Sequence, residues 1–196
     1  MTAESTEKRF VRRMREMLVS LPYDMKVLFE AMSDENLPTS ARELAAAAAI
    51  YCLSPSDPMP DSMGLLGYID DVVYVRLTLQ RLRELGGEEF KDYPDRFVDA
   101  FSSLDDDLAL IRGYLGDSIS WIAQRVEKPS AKVRYKGKNI STYVTDDEAR
   151  NFLYEEGLQF TTDYEIDEES AAKLQNGRPV LEAFKRRSVE ESRRIA

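Results

Sequence analysis

The chain has 196 residues, of which 43% are hydrophobic and 32% charged, and its formal net charge at pH 7 is -9. This composition is typical of a soluble globular protein, and the negative charge disfavours binding to nucleic acid phosphates. The absence of histidine and the single cysteine exclude Ser-His-Asp and Cys-His catalytic groups, histidine-based zinc sites and internal disulfides. Any bound metal should therefore be a hard cation such as Mg²⁺, Mn²⁺ or Ca²⁺, held by oxygen.

Residues 5–21 predict an amphipathic helix. One face is apolar at helical spacing, and the remainder is rich in arginine and lysine. We favour an ordinary core helix with a solvated charged side, and the alternative is a helix that binds a membrane surface or an anionic partner. Leu21-Pro22 predicts a kink, followed by a second helix over residues 23–32. The apolar face comprises Phe10, Met14, Met17, Leu18 and Leu21.

The N-terminal residues are polar, and no apolar signal-peptide region follows them. The longest apolar run, from Leu44 to Leu53, has ten residues, against the roughly 20 that a membrane-spanning helix needs. We therefore expect a cytoplasmic protein without transmembrane segments.

That apolar run belongs to an alanine-rich helix that begins near Ser40. Ser40 and Glu43 have the spacing of a capping box, and Ser54-Pro55 should end the helix. We interpret Cys52, within this apolar stretch, as a buried structural residue rather than a nucleophile. A second helix is expected from Tyr68 to Leu85, closed by Gly86-Gly87.

The segment that joins these two helices carries two spaced motifs. Tyr-x-x-Ser-Pro-x-Asp-x-x-Pro-Asp spans residues 51–61, and Leu-Gly-Tyr-Ile-Asp-Asp spans residues 66–71. Over residues 40–75 the chain resembles the YkvA-like family, domain of unknown function 1232. The resemblance implies a small helical domain and no known catalytic assignment.

Four aspartates in this segment form the main candidate site. Their carboxylates have the chemistry to hold one hard cation, which would be structural or would support phosphate chemistry. We favour the simpler interpretation, in which these aspartates cap turns and occupy a helix N-terminus. Tyr51 and Tyr68 flank the loop, and their hydroxyls are expected to bond to the aspartates or to the loop backbone. The four aspartates are Asp57, Asp61, Asp70 and Asp71.

Further along, residues 88–102 predict weak helices and residues 104–127 a stronger one. Gly113 and Gly116 mark a possible kink in its centre. Residues 84–117 contain ten acidic and three basic side chains, which predicts a strongly negative face.

Pro129-Ser130 marks an expected boundary between a helical domain (1–128) and a small α+β appendage (129–196). The appendage should contain a β-hairpin over 133–144, a helix from Asp146 to Leu158 with Thr145 as N-cap, and a third strand over Leu158–Ile166. Helices are expected over 168–176 and 179–195. Residues 145–170 contain ten acids and one base, whereas 171–196 contain seven bases and three acids. The two segments have the charges to pair with each other.

These patterns predict a mostly α fold with a small α+β C-terminal segment. With no histidine and no complete catalytic motif, we favour a non-enzymatic interaction or scaffold protein. Its acidic face or its C-terminal segment would meet a protein partner. The alternative is a divalent-metal site on the four aspartates with possible phosphoester hydrolysis. Peripheral membrane association through residues 5–21 is a third, weaker hypothesis because the net charge is negative.

Overall fold

The computed structural model describes residues 4–54, 61–129 and 132–195, and it confirms the mostly α fold. No helix in these ranges is long and apolar enough to cross a membrane. Three 3-10 helices lie between the α-helices, at Asp61–Tyr68, Gly87–Phe90 and Gly116–Ile119. The α-helices are α1 (Thr6–Ser33), α2 (Thr39–Leu53), α3 (Ile69–Leu85), α4 (Tyr93–Arg96), α5 (Val98–Phe101), α6 (Leu104–Leu115), α7 (Ser120–Glu127), α8 (Ile140–Thr145), α9 (Asp147–Asp163), α10 (Glu168–Ala172) and α11 (Arg178–Ile195).

Helices α1, α2 and α3 pack on one another and form the centre of the core. The five alanines 45–49 of α2 are all buried, and their small side chains allow neighbouring helices to approach closely. The helix begins after Pro38, which makes no side-chain capping bond. The capping box expected at Ser40 is therefore wrong, because Ser40 lies inside the first turn. The helix ends at Leu53, directly before Ser54-Pro55 as predicted.

The apolar face of α1 lies in this core. Its first four predicted members, Phe10, Met14, Met17 and Leu18, are each at most 1% exposed, and Leu21 is fully buried. The hydrophobic side of this helix is thus occupied by packing within the chain.

Helix α1 runs through Pro22 without interruption, so the predicted division into two helices is wrong. A proline within a helix lacks the N–H that would bond to the carbonyl four residues earlier, here that of Leu18. Tyr164, which follows α9, replaces this donor: its hydroxyl donates to the Leu18 carbonyl at 2.7 Å. A contact from a distant part of the chain therefore stabilises the helix at its proline.

Replacement of Tyr164 by phenylalanine should lower the free energy of unfolding by about 1 to 2 kcal/mol, because the buried Leu18 carbonyl loses its donor. Urea denaturation measures the change. Tyr154→Phe is the matched control, since Tyr154 is 45% exposed. In a Pro22→Ala background the restored helical N–H should bond to Leu18, and the cost of Tyr164→Phe should shrink. An equal cost in both backgrounds would contradict this account.

The long helix predicted over residues 104–127 is divided at Gly116. This glycine has a φ of 54°, a left-handed conformation that favours glycine, and a 3-10 helix separates α6 from α7 there. The possible kink in this helix is thus located at Gly116. In place of the weak helices expected over 88–102, the structure has short helical turns of four residues each.

The predicted hairpin is present but short. Strand β1 (Arg134–Tyr135) pairs antiparallel with β2 (Lys138–Asn139), with Tyr135 opposite Lys138. The extension of the hairpin to residue 144 is wrong, because the Asn139 side chain accepts a hydrogen bond from the Thr142 N–H at 2.8 Å and starts α8.

The third strand expected over Leu158–Ile166 is also wrong, since α9 continues to Asp163. Asp146, rather than Thr145, caps this helix by accepting from the Ala149 N–H at 2.7 Å. Its buried residues Ala149, Leu153 and Gly157 recur every fourth position, which is helical spacing. Helix α9 packs on α1, α2 and α8, whereas α11 packs on α6, α7 and the 3-10 turn between them.

Candidate functional site

The two-motif segment meets the core at the N-terminus of α3. Asp70 and Asp71 lie in the first turn of this helix, and both are completely buried. A helix N-terminus favours negative charge there. This agrees with the expectation that these residues occupy a helix N-terminus.

Tyr51, near the end of α2, contacts this turn directly. Its hydroxyl donates to Asp70 Oδ2 at 2.6 Å, as the sequence led us to expect, and its ring stacks on Tyr74 with the ring centres 4.3 Å apart. Burial raises the pKa of Tyr51 well above its usual range, and the adjacent Asp70 carboxylate acts in the same direction. Tyr51 therefore keeps its proton and serves as a hydrogen-bond donor that joins α2 to α3.

Tyr68 connects the same turn to the C-terminal part of the chain. Its ring meets that of Tyr164 edge to face, with the ring centres 5.1 Å apart. Cys52, one residue beyond Tyr51, is 4% exposed, as expected of a structural cysteine.

The structure describes only part of the four-aspartate site. Asp57 lies outside the described residues, and of Asp61 only the backbone is described, at the start of a 3-10 helix. Asp70 and Asp71 are adjacent, so their side chains point about 100° apart around the helix. Among the side chains that are described, no group of three or more acidic or cysteine residues is arranged to hold a metal. The metal site on all four aspartates stays a prediction.

A second charged cluster, which we did not anticipate from the sequence, is built around Arg76 of α3. Arg76 is 2% exposed, and its Nη2 lies 3.0 Å from Asp24 Oδ2 of α1. Its Nη1 donates to the Ala100 carbonyl at 2.9 Å and lies 3.8 Å from Asp107 Oδ2 of α6. Arg13 holds the opposite side of Asp107, with Nε 2.7 Å from Oδ1. This cluster joins α1, α3 and α6 through charged side chains, and the Ala100 carbonyl adds a contact with α5.

An exposed surface of different character covers α9 and α10. The segment 145–170 holds ten acids and one base, and that base, Arg150, pairs with Asp147. Of the acidic residues on α9, Glu148 and Glu155 are exposed and form no ion pair with the described part of the chain. We call the exposed side of α9, defined by Glu148, Tyr154, Glu155 and Leu158, the α9 face.

The α9 face also exposes apolar side chains. Tyr154 is 45% exposed and Leu158 is 48% exposed, and they lie one turn apart on the same side of the helix. Phe152, at the edge of this side, is 38% exposed. Tyr154 and Leu158 thus form an exposed apolar pair on the side of α9 that faces away from the core.

Part of the chain matches a known family model. Residues 41–76 match the model of a family described as a protein of unknown function (DUF1232). This confirms the resemblance, and the matched stretch includes Tyr51, Asp70 and Asp71 and ends on Arg76. No curated protein and no solved structure matches the chain.

Proposed function

We propose that this protein is a non-enzymatic interaction module that binds a protein partner through the α9 face. The observation that carries the proposal is the pair Tyr154 and Leu158, about half exposed on one side of α9, in a segment rich in carboxylates. Partly exposed aromatic and aliphatic side chains supply the energetic centre of protein interfaces, and the surrounding charges supply selectivity.

Two further features support this choice of surface. The buried side of α9 is fixed in place, because Gly157 contacts the Phe29 ring so closely that an added Cβ would lie 2.1 Å from it. The exposed side is therefore presented on a rigid element, and little conformational entropy would be lost when it binds. The absence of histidine also leaves few groups for acid–base catalysis near neutral pH.

The test compares proteins that co-purify with the tagged chain in its own cells. The amount of a specific partner that co-purifies with the double variant Tyr154→Ser/Leu158→Ser should be at least about tenfold lower than with wild type. Val98→Ser is the control, since Val98 is 55% exposed on α5, a separate helix. Thermal melts establish that both variants remain folded. Partner recovery that is unchanged in the double variant would reject the α9 face.

The second candidate function is a divalent-cation site on Asp57, Asp61, Asp70 and Asp71, with phosphoester hydrolysis as its possible chemistry. It is supported by the complete burial of two adjacent carboxylates, Asp70 and Asp71, at the end of the loop that carries the other two. Buried carboxylates of this kind are usual ligands of Mg²⁺ and Ca²⁺.

If this site exists, a saturating cation should stabilise the protein by about 2.7 kcal/mol at 100 times its dissociation constant. Melting temperatures are measured in EDTA and then with Mg²⁺, Mn²⁺ or Ca²⁺, on wild type and on Asp57→Asn. A rise in melting temperature that is specific to one metal, and that Asp57→Asn abolishes, supports a cation site on these aspartates. A flat response, with the variant melting lower in every buffer, assigns the aspartates to capping.

A further inference from the structure

The C-terminal helix α11 carries a surface that complements the α9 face. Lys185, Val189 and Arg193 recur every fourth residue and Arg186 follows Lys185 directly, so the four lie along one side of the helix, and all four are exposed. Val189, in the middle of this stripe, is 51% exposed. We call this surface the α11 stripe. It is basic and includes an exposed apolar side chain, whereas the α9 face combines carboxylates with two exposed apolar side chains.

The two surfaces do not neutralise each other within the chain. Helix α9 packs on α1, α2 and α8, and α11 packs on α6 and α7. Among the ion pairs of the described residues, none joins α9 to α11. Arg187 of α11 pairs instead with Glu190 and Glu191 of its own helix, whereas Lys185 and Arg186 form no ion pair in the part of the chain that the structure describes.

We infer that the α9 face of one copy of this chain binds the α11 stripe of a second copy. The contact would set Tyr154 and Leu158 against Val189, with the carboxylates of Glu148 and Glu155 facing Lys185 and Arg186. The inference deepens the proposed function, on which it rests, by naming a second copy as the partner. If both contacts form within one pair, the assembly closes as a dimer, and otherwise it extends as a chain.

The overall charge of -9 opposes association between copies, but this repulsion is spread over the whole surface. At physiological ionic strength, charges more than roughly 8 Å apart are largely screened, so the facing charges within the contact dominate. The association should therefore have an optimum at moderate ionic strength. Very low salt restores the general repulsion, and high salt screens the specific pairs.

The test uses charge reversal and recombination, read by sedimentation velocity over a range of protein concentrations. One variant, Glu148→Lys/Glu155→Lys, makes both surfaces basic, and another, Lys185→Glu/Arg186→Glu, makes both acidic. Each alone should associate at least about tenfold more weakly than wild type. An equimolar mixture of the two should regain association, because each variant supplies the charge that the other lacks.

Glu89→Lys/Asp95→Lys is the matched control. It changes the net charge by the same amount as the α9 variant, at exposed residues far from α9 in sequence. Its association should equal that of wild type or exceed it slightly, because the general repulsion falls. Association that is weak in each charge-reversed variant but returns when the two are mixed establishes the α9–α11 contact. If wild type stays monomeric at every concentration, or if the mixture does not regain association, the inference that a second copy is the partner is wrong. The co-purification result would then still decide whether the α9 face binds a different protein.

Discussion

Replacing Arg76 with methionine should lower the free energy of unfolding by about 3 to 5 kcal/mol at pH 8. The guanidinium is 2% exposed and bonds to Asp24, to the Ala100 carbonyl at 2.9 Å and to the Ser20 hydroxyl at 3.2 Å. Its removal leaves a buried carboxylate and a buried carbonyl without these donors, and an unpaired polar group that is buried costs its full desolvation penalty. Guanidinium chloride denaturation measures the loss.

Arg83→Met is the matched control for this substitution, because Arg83 lies on the same helix and also pairs with an aspartate, Asp105. That pair is largely exposed, at 38% and 68% of the two side chains. Exposed ion pairs contribute at most about 1 kcal/mol, so the control should change stability little. Equal effects of the two substitutions would show that burial of the Arg76 cluster adds nothing to its stability.

The stability of the protein should fall as the pH rises from 4 to 8, and Asp24 should be the main cause. Burial raises the pKa of Asp24 to about 7; the Arg76 charge lowers it, and the Asp107 and Asp99 carboxylates raise it. The folded protein therefore binds a proton more tightly than the unfolded chain does. This contribution is fully present below the unfolded pKa near 4 and is lost as the pH passes 7, at a cost on the order of 4 kcal/mol.

The measurement is the free energy of unfolding at intervals between pH 4 and 8. The chain has no histidine, and ordinary carboxyl groups are largely ionised above about pH 5.5, so few other groups titrate between there and pH 8 and the slope in that interval is readily assigned. Asp24→Asn mimics the protonated side chain, so it should flatten the slope and raise stability at pH 8 relative to wild type. A large loss of stability at pH 8 in this variant would instead mean that the ionised carboxylate stabilises the fold.

Local signals in the sequence were sufficient for most of the helices. Helix ends at Ser54-Pro55 and Gly86-Gly87, and the break at Gly116, follow from the backbone preferences of proline and glycine. Several errors concern local caps, as at Asn139 and Asp146, but the error at Pro22 arose because a distant residue decided the outcome. Helix α1 passes Pro22 because Tyr164 bonds to the freed carbonyl, and no local pattern links residues so far apart.

The same distinction applies to the site. The bond from Tyr51 to Asp70 was predictable because the motif places the two residues on consecutive helices. The Arg76 cluster was not, since Asp24, Arg76 and Asp107 come from three helices and meet only in the folded chain. One signal was available: Arg76 interrupts the apolar run VVYVRLTL in the centre of α3, where an arginine requires a buried partner.

The region that matches the family model and the α9 face differ in burial. The segment that matches the family model, residues 41–76, supplies buried side chains that hold α1, α2 and α3 together. The α9 face lies outside that segment and is exposed. We therefore expect substitutions at Tyr51 or Asp70 to act mainly on stability, and substitutions at Leu158 to act mainly on binding.

Site-specific photo-crosslinking at position 158 tests the α9 face most directly. A photoreactive amino acid replaces Leu158 in the full chain expressed in its own cells, and a second version carries it at Val98, which is similarly exposed on α5. We expect discrete crosslinked species of higher mass from position 158 and none of them from position 98. The same species from both positions, or none from position 158, would contradict the α9 face as the binding surface.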